Sequence, residues 1–504
     1  MPQPHPKFER PSDPLVAQNP FRQQAYTVQP WPAFEAARAV LPQPILPEQP
    51  KWVALYWRAW ELAWQNLCQP QAASGFVANY LGAATDDYLF MGDSAFMSQF
   101  GLYGRRAFNF MGNLDNLYAK QHDDGFICRQ IGLATGEDFF YPFDPNGTGP
   151  NILAWVEWRH YRFTGDDGRL EKVFAPLVAY HRWCRANRTW PNGLYWATGH
   201  SSGLSNQPRV PNSSTHHRHW TWVDASMQAA LNSLVLAQMA VLLNQEALAD
   251  ELEQEHSLLV ERINKHLWNE AAQFYQDVDP DGRFSPVKSI AAYWGMLDSS
   301  LIPEKRLELF VQALRENWAF KLPHRVPSQS ADSEGYNSDT GHYWRGAVWP
   351  STNFVVLRGL RQMGQHGLAH EIGLNHLTNV VEVYDQTGAF WENYAPETAA
   401  PGSPAARDPI GMSGLSPVAI LLEDVIGLSV DWPQRRVFWD RRLVSEQPYG
   451  VQNYPLGPDG TLSIVADAAK LVLTTDAPFT LTLRDAHQSM QTAVPGGTTE
   501  IDLE

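Results

Sequence analysis

Residues 51–68 read KWVALYWRAWELAWQNLC, and the spacing of their apolar side chains decides the fold class. Trp52, Leu55, Tyr56, Ala59, Leu62 and Ala63 recur at intervals of three and four, which gathers them into one stripe along a helix. Similar stripes predict two helices within 93–120 and one each over 150–164, 168–187, 222–244, 246–268, 284–298, 304–317, 348–364, 366–383 and 414–427. That makes about a dozen helices, with strand-like alternation almost absent between them. The expectation is an all-α body built from helices packed side by side. Long loops rich in aromatic residues, Gly, Asn and Ser, at 189–221 and 318–347, are where function is expected.

Outward from this body the pattern changes at both ends. Residues 1–48 are Pro-rich and weakly periodic, and read as an irregular arm wrapped on the body. After Gly427, LSIVAD, KLVLTT and FTLTLRD alternate with period two, and Pro458-Asp459-Gly460 supplies a turn. A small antiparallel β domain is therefore expected over 429–504, with the helical body over 49–428 and a capping role for the strands.

Composition narrows the function. With 44% hydrophobic and 18% charged residues, the 504-residue chain can bury a large core. Its net charge of −16 disfavours the polyanionic partners, nucleic acid and acidic membrane, so neither is expected. The opening MPQPHPKFERPSDP lacks the apolar core of a signal peptide, and no later stretch reads as long and charge-free enough to span a bilayer, so a cytoplasmic address is expected. A homo-oligomer is left open.

Cys68, Cys128 and Cys184 are too scattered for a disulfide framework or zinc site and read as reduced thiols. His216, His217 and His219, with no cysteine nearby, read as solvated or bound to substrate hydroxyls, so no metal and no cofactor are expected. The excess is aromatic: 20 Trp, 18 Tyr and 23 Phe. Many of these rings pack helices, but those in loops beside amides and carboxylates suit the apolar faces and hydroxyls of a small carbohydrate.

Glycoside hydrolysis requires one group to protonate the leaving oxygen and another to activate water or attack the anomeric carbon. Glu392 in GAFWENYAPET is the best candidate carboxylate, flanked by Trp391 and Tyr394. In TGHYWRGAVWPSTN, residues His342, Tyr343, Trp344, Arg345 and Trp349 precede Pro350, a residue suited to a first helical turn. Arg345 there reads as a ligand for a sugar hydroxyl or an acidic aglycone, or as the partner of a structural carboxylate.

YWRGAVWP, WENYAPET, MGDSAF (91–96), QHDDGFI, PNILAWVEWRHYRFTGD and NGLYWATGHSSGLSNQPR occur in the order found in glycoside hydrolase family 63. The chain resembles that family over about residues 75–425; the family includes mannosylglycerate and glucosylglycerate hydrolases and is related to trehalases. The resemblance implies an (α/α)6 barrel and an inverting attack on an α-glycosidic bond. It makes Glu392 the general base and puts Asp93, Trp344 and Arg345 at the sugar. Asp224, in WTWVDASMQAAL, matches a pocket-facing position. Ser205, Asn206, Arg209, Tyr343, Trp349, Trp391 and Tyr394 complete the expected substrate-binding set.

The chain departs from the family at one point. The general acid is an Asp in a segment resembling ESGxDNSPR, and Ser205 stands at that Asp, with Ser201 at the Glu. A serine hydroxyl lacks an acidic proton of suitable pKa. Asp224 is the first replacement donor, followed by Asp93 and Asp144; alternatively the substrate carries its own acid or a good leaving group. The leading expectation is an exo-acting, inverting glycoside hydrolase of a small α-linked glucoside or mannoside. The alternatives are a sugar 2-epimerase-like isomerase using paired histidines and a noncatalytic sugar-binding relative.

Overall fold

The computed structural model describes residues 12–84, 87–485 and 488–503. Helices dominate up to Ile426 and strands follow from Leu428. The helix Pro50–Gln65 starts on a proline, whose missing N–H has no intrahelical partner to lose. It buries Trp52, Leu55, Tyr56, Ala59, Leu62 and Ala63, the predicted stripe, together with Trp60 and Trp64.

Successive helices pack as hairpins: Leu153–Thr164 on Asp167–Asn187, Val223–Leu242 on Glu246–His266, and Pro350–Gln362 on His366–Thr387. The first connection is short because Gly165 takes φ +69°, ending one helix, and the Asp166 side chain accepts from Arg169 N–H to cap the next.

Several expectations change. The predicted helix 284–298 shrinks to a 3-10 segment, Ile290–Leu297, capped by the Ser289 side chain. Pro286 disfavours helical backbone at the residue before it, which holds the start of that stretch open. The stretch 414–427 is helical but wound as a 3-10 turn, Met412–Leu415, followed by a π-helix, Ser416–Ile426. Val223–Leu242, at 20 residues, is long enough and, over its most apolar window, apolar enough to cross a membrane, contrary to the sequence reading. In this fold 72% of that window is buried inside the protein, as in the core helix of a packed body.

The C-terminal strands form two sheets, of five and four strands. The first is antiparallel throughout. The second departs from the expected antiparallel order in one place, where Arg436–Asp440 pairs parallel with Phe479–Arg484. The arm is more structured than expected, since Gln43–Ile45 pairs with Tyr449–Leu456 as an edge of the five-stranded sheet. Residues 1–11 of that arm lie outside the described residues. Three two-stranded ribbons that period-two reading misses sit in the helical part, among them Tyr88–Phe90 with Gln130–Gly132. Gly427 joins helix to strand at φ +95°, and a Cβ there would lie 2.1 Å from the Asp440 carbonyl oxygen. Only glycine fits so close a crossing.

Candidate active site

A cavity of about 290 Å³ gathers Asp93, Arg129, His200, Ser205, Asp224, Trp294, Tyr343, Trp344, Trp349 and Glu392. A larger cavity, about 520 Å³, lies by the C-terminal strands and holds none of the predicted residues, so chemistry rather than size identifies the site. Helix N-termini converge on the smaller cavity. Asp93 lies in the first turn of Met91–Gly101, Asp224 in that of Val223–Leu242, and Ser351 and Thr352 in that of Pro350–Gln362. The partial positive charge of these ends suits carboxylates and sugar oxygens.

Glu392 sits half-buried after the helix His366–Thr387, which Gly388 ends at φ +68°. Tyr343 Oη donates to Glu392 Oε1 at 3.3 Å, and the Ala406 N–H donates to Oε2 at 3.3 Å. Val348 and Tyr394 exchange backbone hydrogen bonds of 2.8 and 3.0 Å, which locks the Glu392 loop to the aromatic segment 343–349. Within that segment the Trp344 and Trp349 rings stack at 3.8 Å, tilted by only 6°. The backbone bends sharply to allow this: His342 and Tyr343 both take positive φ, +35° and +67°, a conformation that non-glycine residues rarely adopt.

The segment 199–209 is pinned to the same loop. Asn206 Nδ2 donates to the His342 carbonyl at 2.8 Å, and its Oδ1 accepts the Trp344 N–H at 2.9 Å. Gln207 donates to the Ser328 and Trp344 carbonyls at 2.7 and 3.2 Å. Ser205 is thereby held in the cavity wall.

Behind the wall, Arg209 is fully buried between two carboxylates. Its Nη1 and Nη2 donate to the two Asp224 oxygens at 3.0 and 2.6 Å, and its Nε and Nη2 donate to Asp277 at 2.6 Å each. Burial pushes the Asp277 carboxyl up, since one cation serves two enclosed anions, although Arg209 opposes the shift. A general acid must carry a proton on an oxygen. Both Asp224 oxygens already accept from a guanidinium, which argues against the donor role expected of it.

Of the expected sugar contacts, Asp93, Ser205, Tyr343, Trp344 and Trp349 line the cavity. Asn206, Arg209, Arg345, Trp391 and Tyr394 do not, and act as scaffold instead. Arg345 Nε donates to the Gly335 carbonyl at 2.9 Å, and Trp391 Nε1 to Thr387 Oγ1 at 3.0 Å. Tyr394 is buried, its Oη accepting the Trp391 N–H at 3.4 Å. Trp344 and Glu392 thus reach the cavity while their neighbours Arg345 and Trp391 are held in the surrounding loops. Asp144 closes its own loop, accepting from the Asn146 backbone and side chain at 2.8 and 2.9 Å.

The expected hydroxyl-binding histidines lie outside this cavity, where His217 packs between Trp190 and Trp196 with ring centroids 5.1 and 4.6 Å away. Among the described residues no side-chain group is arranged to hold a metal ion.

The sequence reading gave Arg129 and Trp294 no role and counted His200 only among the histidines of the epimerase alternative. Arg129 Nε donates to the Asn146 carbonyl at 2.7 Å and its guanidinium lies 4.6 Å from the Phe140 ring. Burial, helped by Arg129, lowers the His200 imidazole. His200 lies inside a quoted motif and Arg129 two residues past another; Trp294 gives no signal beyond its ring.

Residues 113–408 match the family described as the mannosylglycerate hydrolase MGH1-like glycoside hydrolase domain. An uncharacterized protein of Borreliella burgdorferi is 25% identical over 367 residues, covering 70% of this chain and 75% of its own. A probable mannosyl-oligosaccharide glucosidase of Schizosaccharomyces pombe is 26% identical over 49% of this chain, a stretch that spans only 31% of the yeast protein. The fold resembles the crystal structure of a GH63 mannosylglycerate hydrolase from Thermus thermophilus in complex with Tris and D-glycerate. The TM-score is 0.57 at 21% identity, with 73% of this chain and 99% of that one covered. With more than half its length matched, and with its predicted base gathered into an aromatic-walled cavity, the chain belongs to the mannosylglycerate hydrolase MGH1-like family of glycoside hydrolase domains.

Proposed function

We propose that the chain hydrolyses a small α-linked glucoside or mannoside from its terminal sugar, with inversion, inside an (α/α)6 barrel spanning 49–428. The observation that carries this reading is Glu392, whose carboxylate faces the cavity between the Tyr343 hydroxyl and the Ala406 N–H. Both donors fix its orientation, as a base that draws a proton from water requires. Trp344 and Trp349 supply an apolar wall for a pyranose face, and a cavity of about 290 Å³ suits a disaccharide-sized ligand rather than a polymer. Arg129 is the arginine in the wall among the described residues and would take the carboxylate of a glyceric-acid-type aglycone, the role for which Arg345 points the wrong way.

Protonation of the leaving oxygen falls to Asp93 in this reading. The cavity's carboxylates among the described residues are Asp93, Asp224 and Glu392, and Arg209 engages both oxygens of Asp224. The test compares Glu392→Gln, Asp93→Asn and Asp224→Asn on α-glucosyl- and α-mannosylglycerate and on the matching glycosyl fluorides, whose leaving group departs without a proton. Glu392→Gln is expected to lose turnover on all substrates by about 10²–10⁴-fold. Asp93→Asn is expected to lose it only on the glycerates. Full turnover by Glu392→Gln overturns the base assignment, and loss of the fluorides by Asp93→Asn overturns the donor assignment.

The pairing of Asp224 with Arg209, beside Ser205, favours one second reading, a sugar-binding relative without turnover. Saturable binding of the glycerates with no sugar released by the wild type would establish it. The epimerase alternative loses its pair of histidines, since His200 lines the cavity whereas His216, His217, His219 and His342 do not.

A further inference from the structure

The cavity of about 520 Å³ lies where the helical body meets the C-terminal strands. Five arginines line it, Arg159, Arg162, Arg358, Arg361 and Arg484, against three carboxylates, Glu423, Asp431 and Asp440. This is a cationic wall in a chain of net charge −16. The carboxylates are committed: Glu423 to Arg159 and Arg358, Asp431 to Arg162, and Asp440 to Arg361 and Arg442. Asp424, just behind, takes Arg358 and Arg361. The Arg484 guanidinium has no hydrogen-bond or ion-pair partner among the described residues, yet it faces the cavity.

Buried donors point to a missing partner as well. Thr482 is 5% exposed and Arg358 7%, both line the cavity, and Thr482 Oγ1 and Arg358 Nε lack hydrogen-bond partners. Nη2 of Arg361 is in the same position. Buried polar atoms of this kind are normally satisfied by protein, water or ligand. Thr482 and Arg484 stand two residues apart on one strand, hence on the same face. The potential is felt locally: burial and the charges of Arg484, Arg361 and Arg442 hold the His366 imidazole down at about 4, with Asp440 opposing. Half-buried Trp158 and Phe438 add apolar ring faces to the same wall.

We propose that this cavity binds a phosphorylated sugar, with the phosphate held by Arg484, Arg361 and the Thr482 hydroxyl and the sugar ring against the Trp158 and Phe438 side. Arginine presents planar donors that match phosphate oxygens, and aromatic rings cover the apolar face of a pyranose. The site is separate from the one holding Glu392 and does not depend on the hydrolase reading. Both cavities border the helix Pro350–Gln362, with Ser351 at one and Arg361 at the other, ten residues or about 15 Å along the axis.

Calorimetric titration of the full chain with glucose 6-phosphate, inorganic phosphate and glucose, at fixed ionic strength, tests the proposal. Saturable binding of glucose 6-phosphate is expected, with phosphate and glucose each at least tenfold weaker. Arg484→Gln is expected to weaken glucose 6-phosphate at least tenfold. Arg484 has no partner to lose, so this variant should fold and melt as the wild type does. A second readout is the His366 imidazole followed by NMR, whose pKa should rise when the anion binds beside it. Absence of saturable heat with glucose 6-phosphate, or equal affinity in Arg484→Gln, overturns the site. Phosphate binding as tightly as glucose 6-phosphate overturns the sugar component.

Discussion

Arg209→Met removes a buried cation of similar length and leaves Asp224 and Asp277, 2% and 1% exposed, facing each other without a counter-ion. Four charge-assisted hydrogen bonds of 2.6–3.0 Å vanish with it. Removing one partner of a buried ion pair costs about 3–5 kcal/mol, most of it from the charge left behind. The deficit should depend on pH, with a definite sign. Asp277 already titrates above its ordinary value because of burial, so the folded state binds more protons than the unfolded state. Stability from that group is present at low pH and lost as pH rises through the folded value. Without Arg209 that value moves higher, so the variant should be weakest at pH 7–8 and recover toward pH 4–5. Urea unfolding followed by circular dichroism at both pH values measures this, and the added change Asp277→Asn should restore part of the loss. A deficit below about 1 kcal/mol, the range of an exposed pair, or one equal at both pH values, would show that Arg209 does not hold the two carboxylates as a buried counter-ion.

Other perturbations follow from the same coordinates. His324 and His376, fully enclosed and joined by a 3.0 Å hydrogen bond, are held low by burial, His376 to about 3. Stability is therefore expected to fall as pH drops below the unfolded value near 6.5, by about 2 kcal/mol at pH 5 from His376 alone, and a flat profile from pH 7 to 5 contradicts this. Asn206→Ala cuts two of the hydrogen bonds that tie the 199–209 segment to the aromatic loop, leaving that of Gln207. Hydrogen exchange at the Trp344 amide should accelerate and KM rise several-fold, and unchanged exchange would show that the clamp does not hold the loop. Gly427→Ala forces a Cβ to within 2.1 Å of the Asp440 carbonyl at φ +95°. A loss above about 1 kcal/mol in chemical denaturation is expected, and none would mean that the helix-to-strand junction relaxes freely.

Local spacing fixes which stretches become helices, because a three-to-four repeat of apolar residues can bury its stripe in no other regular way. Trp52 to Ala63 illustrate this, as does the change to period two beyond Gly427. Local chemistry also singles out Glu392, a carboxylate set among aromatic rings. Winding is less legible: the apolar spacing of Ser416–Ile426 predicts a helix but does not distinguish the π geometry it adopts. The orientation of loop side chains is not local at all. Trp391, Tyr394 and Arg345 resemble sugar ligands in sequence, but in the fold Arg345 bonds the Gly335 carbonyl, Trp391 bonds Thr387 and Tyr394 pairs with Val348, so all three are consumed as scaffold. Asp224 likewise resembles a free acid until Asp277, remote in sequence, brings its half of the Arg209 clamp. Sequence neighbours set what a residue can do, whereas partners that only folding brings within 3 Å decide which of its atoms are left to do it.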